Sequence, residues 1–168
     1  MKYIVVSGGM DPIHIGHIRY FKEAKQLGDK LIVILNKDRF LQKKKGYVFM
    51  PYKERKEVLE AIKYINEVVP CLDKDQSVRA TIKRLKEKGK IDVFAKGGDR
   101  TIKNIPEKDL CNKLDIQMVF GVGGGDKPQS SSWLVDRIWN EGFNVGRKEG
   151  LYGKQKDDEA VKALFGKK

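Results

Sequence analysis

The chain has 168 residues, 40% hydrophobic, 35% charged and 9% aromatic, with 35 basic against 23 acidic side chains and a formal net charge of +12. That length suits one domain with enough apolar material for a core, which excludes disorder over most of it. No apolar run approaches the roughly 20 residues that span a bilayer, the N-terminal residues turn to glycine too soon for a secretory signal, and Cys71 and Cys111 lack both zinc-like spacing and a disulfide framework.

Residues 2–6 (KYIVV) read as a short buried strand ended by Ser7-Gly8-Gly9. Over residues 15–27, Ile15, Ile18, Phe21, Ala24 and Leu27 recur near helical spacing, and Gly28 follows as a stop. Residues 31–35 (LIVIL) form the uninterrupted apolar run of a strand buried on both faces. Residues 36–50 read as a long basic loop, after which Pro51 opens a helix over 52–62 with Val58, Leu59 and Ile62 facing inward. A strand at 67–70, a helix at 76–88, a strand at 92–95, a helix at 107–114, a strand at 117–122 and a last helix at 131–140 complete the pattern. Residues 141–168, rich in Gly, Lys and Asp, are expected to form an appendage or flexible tail beyond a domain of residues 1–140.

Strands separated by helices imply an α/β fold: a single domain, Rossmann-like, with a doubly wound parallel five-stranded sheet and helices on both faces. In such sheets ligands sit beyond the carboxyl ends of the strands. Gly8-Gly9, Gly97-Gly98 and Gly123-Gly124-Gly125 each follow a strand and should converge on that rim, where bare amides hold phosphates. The positive charge fits phosphorylated small molecules or nucleic acid. Only Lys43-Lys44-Lys45 is a compact cluster, and the aromatics show no interleaved stacking pattern, so nucleic acid is disfavoured. A reducing cytoplasm is the expected setting, with no membrane partner.

Both histidines, His14 and His17, fall at the start of the first helix. With Asp11 the one nearby carboxylate and no nearby Cys, they make a poor zinc site. Two readings remain: polar caps of a helix, or imidazoles that bind phosphate oxygens and stabilise charge in a transition state. Gly16 between them leaves room for a nucleotide against the backbone.

The segment Gly9-Met10-Asp11-Pro12-Ile13-His14-Ile15-Gly16-His17 resembles the HxGH signature of the nucleotidyltransferase superfamily, which includes glycerol-3-phosphate cytidylyltransferases, heptose-1-phosphate adenylyltransferases and archaeal FAD synthetases. The resemblance continues to about residue 138 through residues 19–38, residues 52–70, AKGGD (95–99) and QSSS (129–132). The same signature marks class I aminoacyl-tRNA synthetases, for which this length is too short. Met10 stands where the family usually has Phe, and Gln129 where it has an apolar residue. Gly125-Asp126-Lys127-Pro128 replaces the Arg-Thr pair of the cytidylyltransferases, with Lys127 a candidate substitute cation, so CTP and ATP both stay open.

The resemblance implies transfer of a nucleoside monophosphate from CTP or ATP to a phosphorylated polyol or sugar, with Mg²⁺ accompanying the triphosphate and no protein metal site. A homodimer is expected on the same ground. His14 and His17 would contact the α- and β-phosphates; Lys45, or secondly Lys43, would neutralise the reacting phosphates; Arg55 would contact substrate and nucleotide. Gly8, Gly9, Met10 and Gly16 would border the nucleotide, and Asp11 would orient the acceptor or the metal. Lys96, Gly97, Gly98 and Asp99 would line its base and ribose side, with Gln129, Ser130 and Ser131 at the β- and γ-phosphates. The competing classes are a basic nucleic-acid-binding module and a nucleotide sensor without catalysis.

Overall fold

The computed structural model describes residues 1–98, 105–124 and 129–149, the last eight of these by backbone alone. Its elements in chain order are β1 (Tyr3–Gly8), α1 (Ile15–Gln26), β2 (Lys30–Leu35), α2 (Asp38–Lys45), α3 (Tyr52–Glu60), β3 (Glu67–Pro70), α4 (Arg79–Glu87), β4 (Val93–Gly97), α5 (Lys108–Lys113), β5 (Gln117–Val122) and α6 (Ser131–Glu149). The strands form one sheet in the order β3-β2-β1-β4-β5, every pair parallel. The chain winds outward from β1 through β2 to β3, then returns to lay β4 and β5 on the other side. The expected Rossmann-like α/β architecture is therefore present.

Alternation along the central strands builds two cores. Ile4 and Val6 of β1, with Leu31, Val33 and Leu35 of β2, pack under Phe21, Ala24 and Leu59 of α1 and α3. Val5, Ile32 and Ile34 face the other way, onto Ile82 and Leu85 of α4 and Cys111 of α5. Strands covered on both faces lose their polar alternation, which is why LIVIL is legible as a central strand. One inward assignment is corrected: Val58 is 41% exposed. Adjacent helical residues point about 100° apart, so Val58 turns outward where Leu59 is buried.

The segment expected to be a basic loop contains helix α2. Its sequence is mostly polar and buries only Leu41, so periodicity gives little sign of it. The end signals are clear in retrospect: Asp38 lies in the first turn, Lys43, Lys44 and Lys45 in the last, and Gly46 closes the helix at φ 84°. The last helix also exceeds its expected end at residue 140, continuing to Glu149. The rest of the expected tail, residues 150–168, lies outside the described residues, as do Asp99, Gly125 and Lys127.

Tyr20 locks α1 to the carboxyl ends of β4 and β5. Its hydroxyl donates to the Ala95 carbonyl at 2.7 Å, and burial pushes its ionisation well above the ordinary phenol range. A Cβ at Gly97 would lie 2.9 Å from the Val122 carbonyl oxygen and 3.0 Å from the Tyr20 ring. Gly97→Ala is therefore expected to destabilise the fold by about 1–3 kcal/mol through overpacking, read as a lower urea midpoint at unchanged slope.

Candidate active site

The ladder between β1 and β4 is short. Only Ile4↔Val93 and Val5↔Phe94 pair, whereas β1 and β2 stay paired as far as Gly8↔Leu35. The two central strands therefore part toward their carboxyl ends at the point where the winding direction reverses. A cleft of about 420 Å³ opens there, where an open α/β sheet binds ligands. All three glycine turns reach it: Gly8 and Gly9, Gly97 and Gly98, and Gly123 and Gly124.

His14 and His17 line the same cleft and are also the N-terminal cap of α1. The Gly16 amide donates to His14 Nδ1 at 3.1 Å, and the His14 amide donates to His17 Nδ1 at 3.3 Å. A neutral imidazole whose Nδ1 accepts must carry its proton on Nε2. Each ring in its neutral form thus offers an N–H away from the backbone. The rings lie 3.9 Å apart between centroids. Burial, then the proximity of His14 and Lys45, lowers the His17 pKa to about 3, so this ring is neutral near pH 7. Gly16 is required between them: a Cβ there would lie 2.9 Å from the His14 ring.

Lys45 extends from the end of α2 into the cleft, donating to the Asp11 carbonyl at 2.6 Å. Burial pulls its pKa below the ordinary lysine value; Asp11 opposes that, while Lys44 and Arg55 reinforce it. Lys44 is a second lysine on the cleft wall, whereas Lys43 is exposed and lies off it. Successive helical residues point about 100° apart, so three adjacent lysines cannot share one face.

Asp11 and Arg55 do not face the cleft as expected. Asp11 is fully buried, and its carboxylate accepts from the Phe49 amide at 3.0 Å and the Met50 amide at 2.6 Å. Both oxygens are thereby engaged in clasping the segment after α2. Arg55 is likewise fully buried. It donates to the Gly9, Asn36 and Met50 carbonyls and pairs with Asp38 at 2.6 Å. Its guanidinium holds the cleft floor from beneath.

Met10 is buried at φ 51° and packs over Gly8 while bordering the cleft. Gln129, Ser130 and Ser131 also line the cleft and lead into α6. Ser130 Oγ accepts from the Trp133 amide at 3.1 Å as a helix cap, and Ser131 Oγ donates to the Pro12 carbonyl at 2.9 Å. The second bond ties the start of α6 directly to the loop carrying the histidines. Lys96 donates to Ser7 Oγ at 3.2 Å and lies 3.6 Å from Glu107 Oε2. Ser7, Tyr20, Asn36 and Glu107 also line the cleft and were not anticipated as site residues. The rule that ligands meet strand ends would have flagged Ser7 and Asn36; Glu107 is brought in by packing, with no local signal.

Two outcomes test this arrangement. Arg55→Ala is expected to cost about 3 kcal/mol of stability without any ligand, because it leaves buried carbonyls unpaired; a variant as stable as the parent in urea would show a ligand-facing role instead. His17 is protonated below pH 6.5 when unfolded but only near pH 3 when folded, so the unfolded state binds more protons between those values. Stability from this group is thus full above pH 6.5 and is lost on acidification toward pH 3. His17→Asn should flatten that part of the stability curve, measured by thermal melts across pH.

The family profile described as Cytidylyltransferase-like matches residues 5–122, which takes in every strand from β1 to β5. A glycerol-3-phosphate cytidylyltransferase of Bacillus subtilis (strain 168) is 34% identical over 122 residues, covering 73% of this chain and 91% of that protein. An FAD synthase of Pyrococcus horikoshii is 44% identical over 112 residues, covering 66% of this chain and 70% of that protein. A lipopolysaccharide core biosynthesis protein of Thermoplasma volcanium GSS1 shares the fold at a TM-score of 0.60 and 23% identity, over 71% of this chain and 95% of that one. With its paired histidines at the sheet's switch point and a profile match across the whole sheet, the chain belongs to the cytidylyltransferase-like family of nucleotidyltransferases.

Proposed function

We propose that this enzyme transfers a nucleoside monophosphate from CTP or ATP to the phosphate of a polyol or sugar phosphate, releasing pyrophosphate. The observation that carries the reading is the imidazole pair on the cleft, whose Nδ1 atoms accept from backbone amides, so that each neutral ring carries on Nε2 the proton it would donate to a phosphate oxygen. The likeness to a glycerol-3-phosphate cytidylyltransferase and to an FAD synthase supports keeping both nucleotides.

In this reading an acceptor phosphate oxygen attacks the α-phosphorus in line. One P–O bond forms while the bridging α–β P–O bond breaks, and its electron pair leaves on pyrophosphate. The protein's contribution is positioning and charge stabilisation, with no covalent intermediate. His17, neutral near pH 7, donates without first having to gain a proton, so its role persists across the neutral range. Lys45 adds positive charge beside it. The Ser130 and Ser131 hydroxyls are engaged in capping and in holding Pro12, so the β- and γ-phosphates would meet chiefly the first-turn amides of α6.

Mg²⁺ belongs to the proposal only as a companion of the triphosphate. Among the described residues there is no group of three or more metal-ligating side chains, and both Asp11 oxygens are engaged by amides. The triphosphate's own oxygens and water would hold the ion, and the mechanism takes no step through it. A homodimer and a cytoplasmic setting are part of the same proposal, the latter supported by two buried free thiols, Cys71 and Cys111. Among the described residues no helix is long and apolar enough to cross a membrane.

Incubation with each NTP, Mg²⁺ and a panel of polyol and sugar phosphates should release pyrophosphate only when an acceptor is present. RNA binding without turnover would instead support the nucleic-acid module, and nucleotide binding without turnover the sensor. His14→Ala and His17→Asn are each expected to lower kcat on the order of a hundredfold, as for loss of one transition-state donor.

A further inference from the structure

Resting on the transfer reading, we propose that Glu107 is a specificity-determining residue that recognises a hydroxyl group on the non-phosphate part of the acceptor. Glu107 is 2% exposed and lines the cleft. Its two carboxylate oxygens have different surroundings. Oε1 accepts from the Val78 amide at 3.0 Å, fixing the side chain against the start of α4. Oε2 receives no hydrogen bond among the described residues, and Lys96 Nζ stands 3.6 Å away. A buried carboxylate oxygen with an ion-pair partner but no donor in bonding range is costly unless a ligand supplies that donor.

The position indicates which ligand. In-line displacement puts the attacking and leaving oxygens on opposite sides of the α-phosphorus. The pyrophosphate side is the rim with the histidines and the α6 N-terminus, tied together by Ser131 and Pro12. Glu107 is anchored to α4, whose core contacts lie on the other face of the sheet from those of α1. In the proposal, the wall it belongs to is the one from which the acceptor enters. Asn36, 7% exposed, also lines the cleft, and its buried Oδ1 receives no hydrogen bond among the described residues. An acceptor atom that lacks a donor suits a hydroxyl-bearing chain, which brings one.

Glu107→Gln separates recognition from scaffolding. The amide oxygen can still accept from Val78, while the second atom becomes a donor and reverses the polarity at the ligand. The probes are sn-glycerol 3-phosphate and propyl phosphate, which share the phosphate and differ in hydroxyls, titrated calorimetrically in the presence of a nonhydrolysable NTP. The parent protein is expected to prefer glycerol phosphate roughly tenfold to a hundredfold, the worth of a hydrogen bond to a charged group, and Glu107→Gln to bring the ratio near one. Equal affinities in the parent, or a preference that survives the substitution, would overturn the assignment. The parent comparison alone decides the matter if the variant does not fold. Pyrophosphate release measured alongside separates the two claims: turnover without a Glu107-dependent preference defeats this inference alone, and the preference without turnover defeats the transfer reading alone.

Discussion

A guanidinium with no solvent exposure holds the mouth of this sheet in shape. Arg55 gathers the carbonyls of Gly9, Asn36 and Met50 and the carboxylate of Asp38, groups contributed by the ends of β1 and β2, the loop before α3, and the first turn of α2. Each of these segments leaves a regular element with polar backbone groups that must be satisfied inside the protein. Asp38 extends the connection, since its other oxygen accepts from the Tyr52 amide at the start of α3. One side chain thus fixes the relative positions of β1, β2, α2 and α3, and with them the floor on which a ligand would rest. Few residues other than arginine could do this, because several donors in a rigid plane are needed at once.

The polar residues around the cleft divide their atoms between fold and ligand. His14 and His17 each use Nδ1 to satisfy a backbone amide, and both rings line the cleft. Glu107 uses one oxygen on α4 and keeps the other. Asp11, by contrast, is fully buried and accepts an amide at each oxygen. Fixing one end of a group immobilises the other, so the site's donors and acceptors stand in position before anything binds. That preorganisation is what makes electrostatic stabilisation effective, since little reorganisation remains for the moment of reaction.

The charge around the cleft follows the same economy. Lys44, Lys45 and Lys96 line it, while His17 is held neutral by burial and by its basic neighbours. Making His17 cationic would add repulsion and desolvation together; leaving it neutral preserves its donor at no such cost. In the proposed reaction a polyanion entering the cleft would meet lysines that attract it at range and N–H groups that fix its geometry at contact.

The order of strands and helices was readable because it rests on local properties: the apolar run of β2, the glycine stops and the helical spacing of Phe21 and Ala24. The histidine pair was readable too, since both residues fall within one turn at a helix start and their role as caps is itself local. Capping and lining the cleft are not alternatives, since both rings do both. Helix α2 was missed because its stability comes from Leu41 packing inward and from end effects instead of an apolar stripe. The roles of Asp11 and Arg55 were misplaced for a related reason: a motif shows that a charged residue is near the site, whereas only packing shows whether its atoms are already engaged. Glu107 joins the cleft from more than ninety residues beyond His14, through contacts between α4 and the segment before α5. Local sequence therefore determined the elements and the imidazole pair, and tertiary structure decided which polar atoms remain for a ligand, because burial and pairing depend on segments distant along the chain.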